Sequence, residues 1–379
     1  MTHSDHNSVG HFSGSYPNED VQLLLKRLSD DAVNLLYKNS VENKERLIQL
    51  GLSHYSEMLS PESQPAPEYQ WIFDSAMKRH GLRVAQEVSA LAKSIDSEIE
   101  GDITLCSLVR AGLPMGVLLY RALRSRGRDV RHYGLSIVRD KGLDVAAMNE
   151  VLRTRSAAGV VFVDGWTGKG AIADELDKSV ALYGRGLEPR LVTLADTAGR
   201  AWLSASHQDW LIPSGILGST VSGLISRSVI TSENKLSDSV FHGAAYLRHL
   251  RDSDISRAYV DKITGYGLAH EHTATTSAHS TLEARQIAES TIHSIAQRFD
   301  IVNRNRIKPG IAEATRAVLR RVPHRILVAS RSDPDLEGIL YLAERHAVIV
   351  DEVPEFTGPY RAITIIKDVS SKAVGLTSP

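Results

Sequence analysis

The run Val160-Val161-Phe162-Val163-Asp164, followed by glycines at 165, 168 and 170, constrains this chain more than any other stretch. Four apolar residues in unbroken succession suit a strand buried on both faces, as in the interior of a parallel sheet. An acid at the strand's carboxyl end, a glycine-rich turn and a helix-forming segment from Ala171 complete a strand–loop–helix unit. Ligands of open α/β sheets bind at that end of the strands. Gly168 and Gly170 let the backbone approach a ligand closely, and the amides of Lys169, Gly170 and Ala171 at a helix N-terminus suit a phosphate. Lys169 adds a charge-assisted contact, typically about 1.5–3 kcal/mol. Asp164 fits sugar hydroxyls or waters around Mg²⁺ rather than the phosphate itself. The segment is not a Walker A loop.

Similar units flank this one. Ile103–Val109, Tyr133–Val138 and Arg190–Ala195 read as strands, and Pro114–Arg124 and Ala171–Leu182 as helices. The alternation predicts an α/β fold with an open, mainly parallel sheet covered on both faces. Upstream, Val21, Leu24, Leu25 and Leu28 recur at helical spacing after Asn18-Glu19-Asp20. With helices over Glu42–Leu50 and about Tyr69–Ser94, separated by a Pro-rich loop at Ser60–Tyr69, they predict an N-terminal helical extension. Residues 1–18 read as a flexible tail, 19–263 as the sheet domain and 264–280 as a linker. Residues 281–379 read as a small α/β domain, with helices at Leu282–Phe299, Ile311–Val322 and Pro334–Arg345 and strands at Arg325–Ala329, Ala347–Val350 and Ala362–Ile366.

Composition excludes several classes. Among 379 residues, 44 Lys+Arg balance 45 Asp+Glu, so no global attraction to nucleic acid or anionic membrane is expected. The N-terminus lacks a basic and apolar leader, and no stretch reaches the roughly 18 apolar residues of a spanning helix, so a cytoplasmic protein with no membrane partner is expected. The single cysteine excludes an intrachain disulfide and a Cys-rich zinc site, and no metal-ligand set is expected.

Further constellations carry chemistry. Arg110-Ala111-Gly112 follows the Ile103–Val109 strand and combines a fixed cation with tight backbone, which suits a pyrophosphate. Arg139 and Lys141 lie in a charged turn between the two anion loops. Cys106 sits inside an apolar strand, where free cysteine usually packs in the core; a nucleophile would need a nearby imidazole or cation. Phe12–Pro17 with Ser53–Glu62, where His54, Tyr55 and Glu57 are concentrated, and the segment Ser214–Ser228, could each form a hood that selects an acceptor. From Arg298 to Arg331 nine basic residues face two acids, and Arg316 and Arg320 share a helix side opposite an apolar stripe. Such a face can bind phosphate backbones, and the scarcity of aromatics there favours structured RNA.

The pairing of the two loops resembles type I phosphoribosyltransferases. Over nearly the whole chain, the strings FSGSYPNEDVQLLLK, SHYSEMLSPE, VDGWTGKGAI, STVSGLISRS and IKPGIAEATRAVLRRVP are similar to the phosphoribosyltransferase-like proteins found with bacterial tellurite-resistance and stress genes. Some members of that family carry the name cysteine protease StiP, and the family has a C-terminal Pelota-like (L7Ae-type) RNA-binding domain. The resemblance implies transfer of a phosphoribosyl group from phosphoribosyl pyrophosphate (PRPP), carried with Mg²⁺, to an unknown acceptor. Asp164, Gly165, Thr167, Gly168, Lys169, Gly170 and Ala171 would hold the ribose and 5′-phosphate. Arg110, Ala111 and Gly112 would hold pyrophosphate, and Arg110, Arg139, Lys141 and Asp164 would form the catalytic set. Arg316, Arg320 and Arg321 would bind RNA. Here Gly165 replaces the second acid of the transferase loop, and Gly168–Ile172 replaces its usual hydroxyl-rich ending. Two alternatives stand beside this expectation: a non-catalytic nucleotide-sensing and RNA-binding module, and a cysteine peptidase acting through Cys106. Oligomeric state stays open, a homo-oligomer included.

Overall fold

The computed structural model describes residues 12–230, 239–268 and 282–370. Its centre is an all-parallel sheet of β1 (Gln22–Leu23), β2 (Ile103–Leu108), β3 (Val130–Leu135), β4 (Val160–Val163), β5 (Trp166–Thr167), β6 (Leu191–Asp196) and β7 (Leu203–Ser206). The spatial order is β1-β3-β2-β4-β6-β7, with β5 also paired to β6. Ahead of β2 the chain forms α1 (Asp30–Leu36), α2 (Val41–Gln49) and the long α3 (Pro67–Glu98). Ser40 caps α2 by accepting from the Asn43 amide, and Gly51, at φ 68°, turns the chain away after it.

Side-chain alternation along β2 builds two cores. Ile103 and Leu105 pack with α3 and α4 (Gly112–Ser125) on one face. Cys106 and Leu108 pack with α5 (Val145–Leu152) and α6 (Ala171–Tyr183) on the other. The unbroken β4 run is fully buried because both faces are covered. From β2 the chain moves outward to β3, then returns to β4 on β2's other side. The crevice of this sheet therefore opens between the carboxyl ends of β2 and β4, from which the Arg110 and Asp164 loops emerge. Their approach is close: a Cβ on Gly112 would lie 2.1 Å from the Val163 carbonyl oxygen.

Two expectations fail at the N-terminus. The helix starting near Asn18 is instead edge strand β1, pairing Gln22 with Tyr133 and Leu23 with Gly134. Val21, Leu23, Leu24 and Leu25 are all buried, so the apparent helical period is a subset of a segment enclosed on every side. Asp20 caps no helix and pairs with Arg121 at 2.6 Å. Residues 12–18 are not a loose tail: Tyr16 is buried and donates its hydroxyl to the Val221 carbonyl at 2.9 Å. The rest of the expected tail, residues 1–11, lies outside the described residues. Of the expected linker, 264–268 continue from α7 (Ser256–Gly265) with Leu268 buried, and 269–280 lie outside the described residues.

The C-terminal unit has a mixed sheet of β8 (Ile307–Pro309), β9 (Pro323–Val328), β10 (Ile349–Glu352) and β11 (Ala362–Ile366), in the order β8-β11-β9-β10. Helix α8 (Leu282–Arg298) covers one face. Helices α9 (Ile311–Arg320) and α10 (Glu337–Arg345) pack in the core that includes α3. Two buried acids join the units. The Asp209 carboxylate accepts from the amides of Ile311, at 3.0 and 3.1 Å, and Arg361, at 2.8 Å. Asp335 lies 2.6 Å from His80 Nε2 and accepts from the Leu211 amide and Arg361 Nη1.

Candidate anion-binding cleft

The crevice between β2 and β4 is roofed by the C-terminal unit and by the chain preceding α3. The cleft, open to solvent on one side, measures about 680 Å³. Ten cationic side chains line it: Lys44, Arg110, Arg139, Lys169, Arg227, Lys308, Arg316, Arg320, Arg321 and Arg345. Four acids do so: Glu45, Glu62, Asp164 and Glu313. Charges taken from water in such numbers are costly unless paired. Pairing is partial: Arg321 binds Glu45, Arg110 and Arg320 share Glu62, and Lys308 reaches Glu313 only at 3.9 Å.

Lys169 shows the imbalance best. Its Nζ donates to the Arg304 carbonyl at 2.8 Å and to Asn305 Oδ1 at 3.2 Å, both neutral acceptors. Burial, then Lys308 and Arg139, bring its pKa down to about 7. Burial also lowers Lys308 to about 8, with Arg321 and Arg139 adding to the effect. Lys44 falls to about 8 through burial and the neighbouring Arg227, Arg320 and Arg321. Asp164 moves the other way: burial raises its carboxyl to about 7, against the Gly165 amide and Arg316.

Aromatic faces hold several cations in place. Tyr55 Oη accepts from the Arg139 amide at 2.8 Å. The Arg139 and Arg227 guanidiniums lie 5.4 and 5.2 Å from the Tyr55 ring centroid. Arg316 sits 5.2 Å from the Trp166 centroid. Such contacts stabilise a cation without neutralising it.

Most loop residues expected at the site meet here. Arg110, Ala111, Arg139, Asp164, Thr167, Gly168, Lys169, Gly170 and Ala171 line the one cavity. Gly112 and Gly165 shape the loops from beneath, where a Cβ on Gly165 would stand 3.3 Å from the Ala111 carbonyl oxygen. Gly170 starts α6 at φ 84°, a left-handed conformation that favours glycine. Thr167 donates to Asp196 Oδ1 at 2.6 Å, so its hydroxyl serves the loop. Lys141 is exposed and is not part of the lining.

The three arginines expected to form an outer RNA face are turned inward. Arg316 packs over Trp166, Arg320 meets Glu62 and Arg321 meets Glu45. The stripe Ile311, Ala314 and Val318 buries against the shared core, so the rest of α9 closes the cleft. Sequence reading missed Lys44, Arg227 and Glu62 as cleft residues. Their only signal was position: Glu62 ends the Ser53–Glu62 segment and Arg227 lies inside Ser214–Ser228, both expected as a hood.

Cys106 is wholly buried among Leu108, Leu135, Met148 and Phe162, and burial pushes its thiol far above the ordinary range. Neighbouring histidines serve other partners. His132 pairs across from Leu105, a position that alternates with Cys106, and lies 2.7 Å from Ser107 Oγ and from the Asp20 carbonyl oxygen. His242 Nδ1 lies 2.7 Å from Ser136 Oγ, and its amide donates to Asp144. Among the described residues no group of three or more His, Cys, Asp or Glu could hold a metal ion. Nor, among them, is any helix long and apolar enough to cross a membrane.

An all-parallel sheet with a cationic crevice, closed by a small mixed α/β unit, defines the class. Residues 14–264 match the family described as tellurite-like stress resistance cysteine protease StiP, and residues 286–368 match the PELOTA RNA binding domain. The chain belongs to the StiP family. It is 44% identical over 367 residues to the cysteine protease StiP of Acinetobacter baylyi, covering 94% of each chain. Among solved structures, LysN, the alpha-aminoadipate aminotransferase of Thermus thermophilus, was matched at 15% identity over 88% of this chain and 91% of that one, with a TM-score of 0.22, so the two do not share a fold on this alignment. The names of the family and of the relative overturn the expected phosphoribosyltransferase. A transferase class, PRPP as donor with Mg²⁺, and an acceptor for phosphoribosyl transfer are not the description these comparisons carry.

Proposed function

We propose that the cleft binds the phosphate groups of a nucleotide-class ligand, held without covalent change. One observation carries this reading: three buried or half-buried lysines with lowered pKa, among ten lining cations opposed by four acids. Perturbed groups gathered in a cleft make it a functional-site candidate. An incoming phosphate would compensate charges the protein itself leaves partly unpaired. The match of residues 286–368 to an RNA-binding domain supports an RNA strand as the source of those phosphates, since that unit contributes Lys308, Arg316, Arg320 and Arg321 to the lining. The crevice between β2 and β4 supports a phosphoribosyltransferase-like architecture for the sheet unit, as a fold alone.

Titration calorimetry at fixed salt with a 5′-phosphorylated octaribonucleotide, its unphosphorylated counterpart and AMP tests this. Binding of the first, weakened at least about tenfold in Lys169→Ala and Lys308→Ala, is the expected result, because each change removes a charge-assisted contact. Binding by AMP as well would identify free nucleotides as a second source of the same chemistry. Undiminished binding in the Lys169→Ala/Lys308→Ala double variant would refute the cleft.

The family's name favours a second reading, a cysteine peptidase, for which Cys106 is the sole candidate nucleophile. Its chemistry needs a thiolate with an imidazole in reach. In this structure the thiol is enclosed, so the reading requires β2 to become accessible. Proteolysis of a denatured substrate that is lost in a folded Cys106→Ala variant would establish it; retained proteolysis would remove Cys106 from the mechanism.

A further inference from the structure

The segment between α2 and α3 places a carboxylate inside the cation cluster. Residues 58–66, with prolines at 61 and 65, have no regular secondary structure after the short turn at Tyr55–Glu57. From this strap Glu62 reaches inward. Both its oxygens take Arg110 Nη2, at 2.8 and 3.0 Å; Arg320 Nη2 lies 3.3 Å away. Ser219 donates its hydroxyl at 2.8 Å and its amide at 3.3 Å. Donors converging from three separate segments on one carboxylate make an anion subsite. Gly218 at φ 63° leaves it room, since a Cβ there would stand 3.0 Å from Arg110 Nη2 and 3.2 Å from Glu62 Oε2.

Two features point beyond a structural ion pair. Arg110 is 2% exposed, yet its Nε has no hydrogen-bond partner, so the guanidinium is incompletely satisfied with Glu62 in place. The acid is also carried on an irregular strap with Pro61, Ser63 and Gln64 at least partly exposed, rather than on the framework that holds Arg110 and Ser219. Displacing it requires no break in either sheet.

We propose that Glu62 is a built-in competitor, an endogenous carboxylate occupying a second phosphate subsite formed by Arg110, Arg320 and Ser219. A ligand with a phosphate at Lys169 and Lys308 and another anionic group within reach of Arg110 expels Glu62 and releases the strap. The ligand class is thereby narrowed to molecules with two or more anionic groups, and a single phosphate leaves the strap closed. This rests on the cleft reading above.

The test uses the full-length protein with sodium tripolyphosphate and inorganic phosphate as probes at constant ionic strength. Glu62→Gln keeps an acceptor for Arg110 and removes the competing charge. It should tighten tripolyphosphate binding about fivefold or more, and inorganic phosphate much less, as expected where an internal counter-charge is displaced. Hydrogen exchange of residues 58–66 in the wild type should rise on saturation with tripolyphosphate and stay unchanged with inorganic phosphate. Should tripolyphosphate bind, weakened by Lys169→Ala, while Glu62→Gln gives no gain and strap exchange stays constant, the competitor role is overturned and the cleft reading stands. Should neither wild type nor Glu62→Gln bind tripolyphosphate, both fall. Arg320→Gln, at a half-buried position on the other side of the subsite, gives a second reading independent of the fold of Glu62→Gln. It should weaken tripolyphosphate binding and reduce the gain from Glu62→Gln; a full gain in the double variant would overturn the subsite.

Discussion

The same two units meet at a seam and at a cleft, and the two meetings are built on opposite principles. At the seam, Asp209 accepts from two amides, the Ile311 one shared between both its oxygens, and Asp335 faces His80, Arg361 and the Leu211 amide. Each buried carboxylate there is surrounded by donors. At the cleft, Lys169 holds only neutral acceptors and Arg316 packs on an aromatic face. Buried charge that is satisfied joins two surfaces; buried charge left short of partners raises the free energy of the empty protein and is relieved by a ligand. The contrast separates residues that hold the units together from residues that wait between them.

The largest effect should come from breaking the seam. Asp209→Ala orphans the Ile311 and Arg361 amides, and at about 1–3 kcal/mol for each unsatisfied buried group it should cost roughly 2–6 kcal/mol in denaturant unfolding. A loss below about 1 kcal/mol would mean that the seam is not held by this acid. The cleft should respond with the opposite sign. Lys308→Met removes a buried, underpaired charge and keeps the volume, so the empty protein should gain about 1 kcal/mol while phosphate binding weakens at least about tenfold. Destabilisation by Lys308→Met would place Lys308 with the seam residues and erase the distinction.

How much of this was legible in the sequence follows from range. The β2 and β4 strands, the helix after each and the two loops were readable because hydrophobic period, glycine and charge all lie within about a dozen residues. That Arg110 and Lys169 line one cavity was legible too, since adjacent strand tips place their loops together. Edge strand β1 reads as a helix because Val21, Leu24 and Leu25 fit a helical period, while enclosure by Tyr16, α4 and β3 decides otherwise. The inward turn of Arg316, Arg320 and Arg321 was not legible. One-dimensional amphipathicity shows which side of α9 is apolar, but the fate of the charged side depends on a second unit packing over it. Glu62 stood in a segment expected as a hood, but its pairing was not legible for the same reason, since its partners lie 48, 157 and 258 residues away.

Cys106 gives a smaller effect that bears on the sheet face opposite the cleft's α4 side. A nucleophile should react with iodoacetamide in the native state; an enclosed core thiol should not until the protein unfolds. Cys106→Ser should cost about 1–2 kcal/mol, because a hydroxyl enters an apolar cluster without a partner, whereas Cys106→Ala should cost about 1 kcal/mol or less. Fast native labelling would show that β2 opens, and would move the peptidase reading ahead of the cleft.

The finest distinction between seam and cleft is in proton linkage. In the folded protein Lys169 titrates near 7 and Lys44 and Lys308 near 8, whereas unfolded lysines stay protonated to about 10.4. Between pH 7 and 8.5 the unfolded chain therefore binds more protons than the folded one, and stability rises with pH. Each lysine contributes at most about 1.4 kcal/mol per pH unit over the window in which the two states differ. Asp209, raised by burial to about 6, and the cleft acid Asp164, raised to about 7, act with the opposite sign: the folded state holds their protons longer, so these contributions fall as pH rises from about 4 to 6 and from about 4 to 7. Above about pH 8.5 the buried Cys106 thiol, protonated only in the folded state, opposes the lysines, so the measurement belongs below that pH. Saturating tripolyphosphate should flatten the slope between pH 7 and 8.5 by restoring the lysine protons, with proton uptake on binding detectable in buffers of different ionisation enthalpy. The Asp209 slope should not change. A ligand-independent slope in the upper window would mean that the lysines are not where the anion binds.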